Sequence, residues 1–127
     1  MILETEILTA VTNYFNEKCA LFSPITTSGI LPNNSGISAE IAPGHARSVY
    51  LDKGTFQRMP VLLLVRHQKH QTAMETAFTL AKSTREAERI HEKIAGLSVG
   101  TAPEFVQRSG ADYIYSLIIN IDYLTAR

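Results

Sequence analysis

The stretch ADYIYSLIINIDYLTAR, residues 111–127, decides the fold. Between Tyr113 and Leu124 the odd positions Tyr113, Tyr115, Leu117, Ile119, Ile121 and Tyr123 are apolar or aromatic without exception. A two-residue period of this kind marks a β-strand with one face on a core. The even positions Ile114, Ser116, Ile118, Asn120, Asp122 and Leu124 are too apolar for an open solvent face and too polar for a dry interior. What covers that second face is the question the rest of the chain has to answer.

Working upstream, Val61 to Val65 is apolar on both faces. That pattern suits a central strand covered on both sides, or covered by a helix and a neighbouring subunit. It ends an extended run from Thr55 through Arg66, which with Arg47 to Leu51 and the turn Asp52-Lys53-Gly54 predicts an antiparallel hairpin. Pro60 donates no ladder hydrogen bond and is expected at the entry of the regular strand or on an edge. Ile37, Ala39 and Ile41 alternate with Ser38 and Glu40, predicting a strand with one buried face that stops at Pro43-Gly44. Before it, ITTSGILPNNSG, residues 25–36, is rich in turn-forming residues and reads as a long loop.

Two segments carry helical periodicity. Leu3, Ile7, Val11, Tyr14 and Phe15 form one stripe of an amphipathic helix from Ile2 to about Lys18, with acidic residues near its start and Lys18 near its end to suit the dipole. Ala73, Ala77, Leu80, Thr84, Ala87, His91 and Ile94 recur at steps of three and four, predicting helix up to Gly96. Ser83-Thr84-Arg85-Glu86 fits a capping box, so this tract is one long helix or two meeting near Ser83. A rival pattern, Met74, Thr76, Phe78 and Leu80, would place a strand there instead. Residues 98–110, with Gly100, Pro103 and Gly110, read as loop with at most a short strand around Glu104 to Gln107.

The element order predicts an α+β fold: a single mostly antiparallel β-sheet with an N-terminal helix and one or two further helices packed on it. All 127 residues fit one domain. Helices sandwiching the sheet on both sides, or on one side only, are both compatible with the pattern.

Twelve basic and twelve acidic side chains give a formal net charge of zero. Sequence-specific nucleic-acid binding, which needs clustered Lys and Arg in excess, is therefore not expected. The longest unbroken apolar run is Val61 to Val65, far short of the roughly 20 residues of a membrane-spanning helix, so no membrane partner is expected. The lone Cys19 excludes an internal disulfide, and MILETEILTA puts acidic residues ahead of its apolar ones, so synthesis in a reducing cytoplasm is the expectation.

Catalytic chemistry finds little foothold. His67 and His70 form an isolated HxxH, with Glu75 and His91 the conceivable further ligands, and the spacing lacks the HExxH helical context. Cys19 is expected to pack at the end of the first helix rather than to act with His45 as a nucleophile. Glu4 with Glu6, and Glu86 with Glu88 among Arg85, Arg89 and Lys93, read as helix-surface residues. No GxxxxGK[ST], GxGxxG or GxSxG occurs. The reading is of a non-enzyme with no catalytic residues, no cofactor and no metal; a small metal-dependent enzyme using His67, His70 and His91 is the rival from another class.

The leading helix Ile2 to Lys18, the strand running into a helix in VYLDKGTFQRMPVLLLVRHQKHQTAMETA, and the ending GADYIYSLIINIDYL together resemble the tail terminator, or tail completion, proteins of long-tailed bacteriophages, often labelled minor capsid proteins. Asp112, Tyr113, Ile114 and Tyr115 match the family's polar turn followed by Tyr-x-Tyr, and Arg66 to Gln71 with Ala73 and Ala77 looks like its strand-to-helix junction. The tract Ser83 to Gly96 is long for the family helix. The resemblance implies a virion protein, assembled in the host cytoplasm, that forms a homo-hexameric ring at the head-tail interface. Its implied partners are itself, the tail tube protein and the head-tail connector protein; a connector stopper or adaptor is the alternative within the same assembly. Family interfaces on sheet edges and loops would map to residues 25–36 and 44–58 here. Arg47, Lys53 and Arg58 are then the candidate polar contacts, and Ile114 and Ile118 on the second face of the closing strand the candidate apolar ones.

Overall fold

A computed structural model describes residues 2–27, 35–42, 47–49, 56–88 and 90–124. In chain order these form helix α1 (Leu3–Lys18), strands β1 (Ile25–Thr26), β2 (Gly36–Ile41), β3 (Arg47–Val49) and β4 (Phe56–His67), helix α2 (His70–Glu86), and strands β5 (Ile94–Ser109) and β6 (Asp112–Leu124). The strands build one sheet in the order β1-β2-β4-β6-β5, with β3 also pairing on β4. Only the short β1–β2 pair is parallel. The fold is α+β, a mostly antiparallel sheet carrying an N-terminal helix and a second helix.

The pairing of β4 with β6 is the spine of the sheet. It runs unbroken from Phe56 opposite Leu124 to His67 opposite Tyr113. Because strand side chains alternate, this register puts Met59, Val61, Leu63 and Val65 on the same face as Tyr115, Leu117, Ile119, Ile121 and Tyr123. All of them join one core with Ile37 and Ala39 of β2, Ile7, Val11 and Phe15 of α1, and Ala73, Ala77, Leu80 and Ala81 of α2. Both helices therefore lie on one face of the sheet, and the arrangement with helices on both sides is excluded for the described elements. The alanines of α2 let the helix sit close to the strands, while Phe15 and Ile7 fill the space under α1.

α2 joins β4 to β5, and both strands run antiparallel to β6, which lies between them. The chain must return along a β4 of twelve residues, about 40 Å at strand rise, whereas the 17 residues of α2 cover only about 26 Å. The extended segment after Glu86 supplies the rest. The helix thus ends at Glu86, not at Gly96 as the periodicity predicts, and no second helix starts at Ser83. Ala87 is already extended, and the Thr84 hydroxyl donates back to the Leu80 carbonyl at 2.8 Å. Ile94, expected on that helix, instead opens β5 opposite Tyr123.

β5 itself corrects the expectation of a loop over 98–110. Eleven of its sixteen residues pair with β6, and it accommodates the glycines and Pro103 through register shifts between Ile94 and Gly96, Val99 and Thr101, Thr101 and Glu104, and Phe105 and Gln107. Gly100 sits at one shift, where a Cβ would come within 2.8 Å of the Asn120 side chain. Gly110, with φ of 63°, makes the turn into β6 in a conformation that side chains disfavour.

Pro60 is likewise not at an entry or edge but inside β4, paired with Asn120. Its missing N–H is absorbed on the other side, where the partner strand breaks into β2 and β3: Ile41 pairs with Val61 and Arg47 with Arg58, so five residues span the place of Met59 and Pro60. The Ala42 N–H donates to the Pro60 carbonyl at 2.9 Å. The β3–β4 pairing realises the expected hairpin, whose turn Asp52-Lys53-Gly54 lies outside the described residues. In β2, Ile37 and Ala39 are buried as expected, but Ile41 at the rim is 38% exposed and Ser38 is buried on the opposite face.

Polar clasps fix α1 on the sheet. Asn16 Oδ1 accepts the Ile25 N–H at 3.0 Å at one end. At the other, the Tyr123 hydroxyl lies 2.7 Å from Glu4 Oε2 and 2.9 Å from Gln57 Oε1. Glu4 is thus an anchor and not merely a surface residue. Burial, followed by the Glu4 hydrogen bond and charge, raises the Tyr123 pKa well above its ordinary value. A raised pKa contributes stability that is complete below the unfolded value of about 10 and is lost as the pH climbs beyond it. We expect Tyr123→Phe to cost about 1 kcal/mol at neutral pH and to flatten the alkaline loss of stability above about pH 10, read from urea melts across pH. Leu117→Ala, in the fully buried centre of β6, is expected to cost about 2–5 kcal/mol in the same assay.

Candidate functional site

The face of the sheet away from the helices carries the even residues of β6 and their partners. Across the β4–β6 ladder, Leu62 stands opposite Ile118, Leu64 opposite Ser116, Pro60 opposite Asn120 and Arg58 opposite Asp122. β2 adds Ser38 beside Leu64 and Glu40 beside Leu62, and β5 adds Thr101 beside Ile118 and Glu104 beside Ser116. Leu62, Leu64 and Ile118 are half-buried by these neighbours, and no described helix or strand lies over them. The small Ser38 and Ser116 sit low between the taller side chains.

An Arg–Asp pair closes each end of this apolar strip. Arg58 Nε donates to Asp122 Oδ1 at 2.7 Å and its Nη2 to Oδ2 at 3.2 Å, a two-pronged contact that raises the Arg58 pKa through the hydrogen bond first and the charge second. At the other end Arg66 Nε donates to Asp112 Oδ2 at 2.8 Å. The two pairs differ in shelter: side-chain exposures are 48% and 32% for Arg58 and Asp122 but 19% and 8% for Arg66 and Asp112. Asp112 Oδ1 is buried without a hydrogen-bond partner.

Of the interface candidates, Arg58 and Ile118 lie on this face. Ile114 shares it, between Arg66 and Gln107, and is only 7% exposed. Arg47 pairs with Arg58 through the backbone, and Lys53 lies outside the described residues, as do 28–34, 44–46 and the rest of 50–55 in the expected contact loops. Sequence reading missed Asp122, Arg66 and Asp112 as ion-pair partners, whereas Leu62 and Leu64 belong to the run Val61 to Val65 that it read as apolar on both faces.

The histidines do not converge. His67 Nδ1 accepts the Lys69 N–H and its ring meets Phe22 edge-on, while His70 stacks on Tyr113 at 4.7 Å and joins the Tyr115 hydroxyl at 2.6 Å. His91 accepts the Lys93 N–H at Nδ1, so its Nε2 donates to Glu6 at 3.1 Å. It stands near Tyr123, the far end of β6 from Tyr113 and roughly 30 Å away at strand rise. Cys19 packs partly buried against the core at the end of α1. It lines an open groove with Lys82 and Glu86, and His45 lies outside the described residues.

β1 has two residues, and β5 is interrupted by its register shifts and Pro103. No family model and no curated protein matches the chain.

The unequal shelter of the two ion pairs gives a direct check. Asp122→Ala is expected to change stability by less than about 1 kcal/mol, since exposed pairs contribute little. Asp112→Ala, which strands Arg66 beside Ile114, is expected to cost about 2–3 kcal/mol in chemical denaturation.

Proposed function

We propose that the chain is a non-enzymatic structural subunit of a phage particle, forming a ring at the head-proximal end of the tail tube that ends tube polymerisation and joins tail to head connector. The open apolar face of the sheet carries the reading. A domain that places both helices on one side, with no described element lying over Leu62, Leu64 and Ile118, is built to be completed by contact with other subunits. The phage assignment is supported by the likeness of the strand-to-helix junction and of the closing strand. A zero net charge favours close association of like subunits. In a ring, two different surfaces of each subunit meet, and the open face supplies one.

Adding the purified protein to polymerising tail tube protein tests the reading, with tube length followed by electron microscopy. Capped tubes and arrested growth are expected; tubes that lengthen unchanged sink it. Ile118→Asp is expected to abolish capping while retaining the far-ultraviolet circular dichroism of the native fold. If that variant fails to fold, the face belongs to the domain's own core.

A further inference from the structure

We propose that the free chain pairs with a second copy of itself, open face on open face, about a two-fold axis running parallel to β4 and β6 between them. The inference concerns the chain before assembly and goes beyond the ring reading.

The charge pattern selects both the occupant and the axis. On the open face the two arginines, Arg58 and Arg66, stand on β4, and their partners Asp122 and Asp112 on β6. Turning a second copy about an axis parallel to the strands lays its β4 over the first copy's β6 at the same level. Arg58 of each copy then faces Asp122 of the other, joining that ion pair into a four-charge cluster, while Arg66 comes over Ile114, its ladder partner, with Asp112 two residues further along β6. The alternative axis, across the strands, would lay β4 on β4 with its ends exchanged and set Arg58 over Arg66. Like charges in that position oppose association.

The apolar centre obeys the same symmetry. The strand order β2-β4-β6-β5 is symmetric about the midline between β4 and β6. Leu62 of one copy meets Ile118 of the other, and the tall Leu64 meets the low Ser116. At the rim, Glu40 comes over Thr101 and Ser38 over Glu104, so each carboxylate faces a hydroxyl. Aligned packing of two twisted sheets about 10 Å apart accommodates this arrangement.

The area suffices for a specific pair. Four strands over the six positions Val61 to Arg66 and three over Arg58 to Pro60, at about 4.8 Å spacing and about 3.4 Å rise, make roughly 540 Å² on each copy. Both copies together bury roughly 1,100 Å², just above the roughly 1,000 Å² that a specific interface has to clear.

Complementation tests the geometry. Leu62→Lys and Ile118→Glu each place a charge against an apolar side chain in a like pair, but mixed they set Lys over Glu across one half and Leu over Ile across the other. Light scattering is expected to give twice the 14.1 kDa chain mass for the wild type, the single mass for each variant, and the double mass again for the equimolar mixture. Arg58→Glu with Asp122→Lys repeats the design at exposed positions, where folding is not at stake. A monomeric wild type, or mixtures of both variant pairs that remain monomeric, overturns the proposal. A hexameric wild type also overturns it while supporting the ring, and loss of tube capping with an intact dimer overturns the ring alone.

Discussion

The rest of the structure depends on the ladder between β4 and β6, in which all twelve residues of β4 find partners. A slip of one residue along either strand would turn Val61 and Leu63, or Leu117 and Ile119, away from the helices and onto the other face. The apolar alternation of β6 makes that slip costly across its whole length. Arg58 with Asp122, directly opposite in the ladder, marks one end of the correct register, because a displacement parts that pair. The ladder joins segments on either side of α2, so the helix is held over the sheet by strands that precede and follow it.

A single helix layer follows from the connections. α2 returns the chain over the face where Ala73, Ala77 and Leu80 meet the odd residues of β6, and α1 takes the neighbouring position through its hold on β1 and Tyr123. Both helices are then committed, and the opposite face receives neither. Its composition agrees: Leu62, Leu64 and Ile118 are interleaved with serines and closed at the ends by paired charges. A water-facing sheet would alternate more polar side chains, and a dry core would not hold Asn120, Asp122 and Glu40. Intermediate polarity suits a surface that exists both free and covered.

Much of this was legible in the sequence wherever a local period coincided with the final packing. α1, β2, β4 and β6 announce themselves through three-four or two-residue spacing, and the unusual even face of β6 was visible at once. The end of α2 was not, because Thr84, Ala87, His91 and Ile94 continue a helical period that the length of the sheet overrides. β5 was hidden for the opposite reason: Gly96, Gly100, Pro103 and Gly110 read as loop, yet an edge strand paired on one side tolerates them through bulges. Pro60 misled in the same way, since the break between β2 and β3 that accommodates it lies in a different segment. The ion pairs closing the open face join residues 46 and 64 positions apart, beyond the reach of any local pattern.

β6 lies inside the sheet, between β4 and β5, and yet is the last described element to leave the ribosome. Until it emerges, β4 and β5 have no strand to join them, and α2 rests on an incomplete floor. Vectorial synthesis therefore cannot assemble the core stepwise from the first helix onward. The N-terminal elements must wait, with their apolar stripes exposed, for a closing strand that converts the whole sheet in one cooperative event. Nascent chains halted before Asp112 should remain substrates for chaperones and proteases, whereas those that have released Leu124 become resistant together.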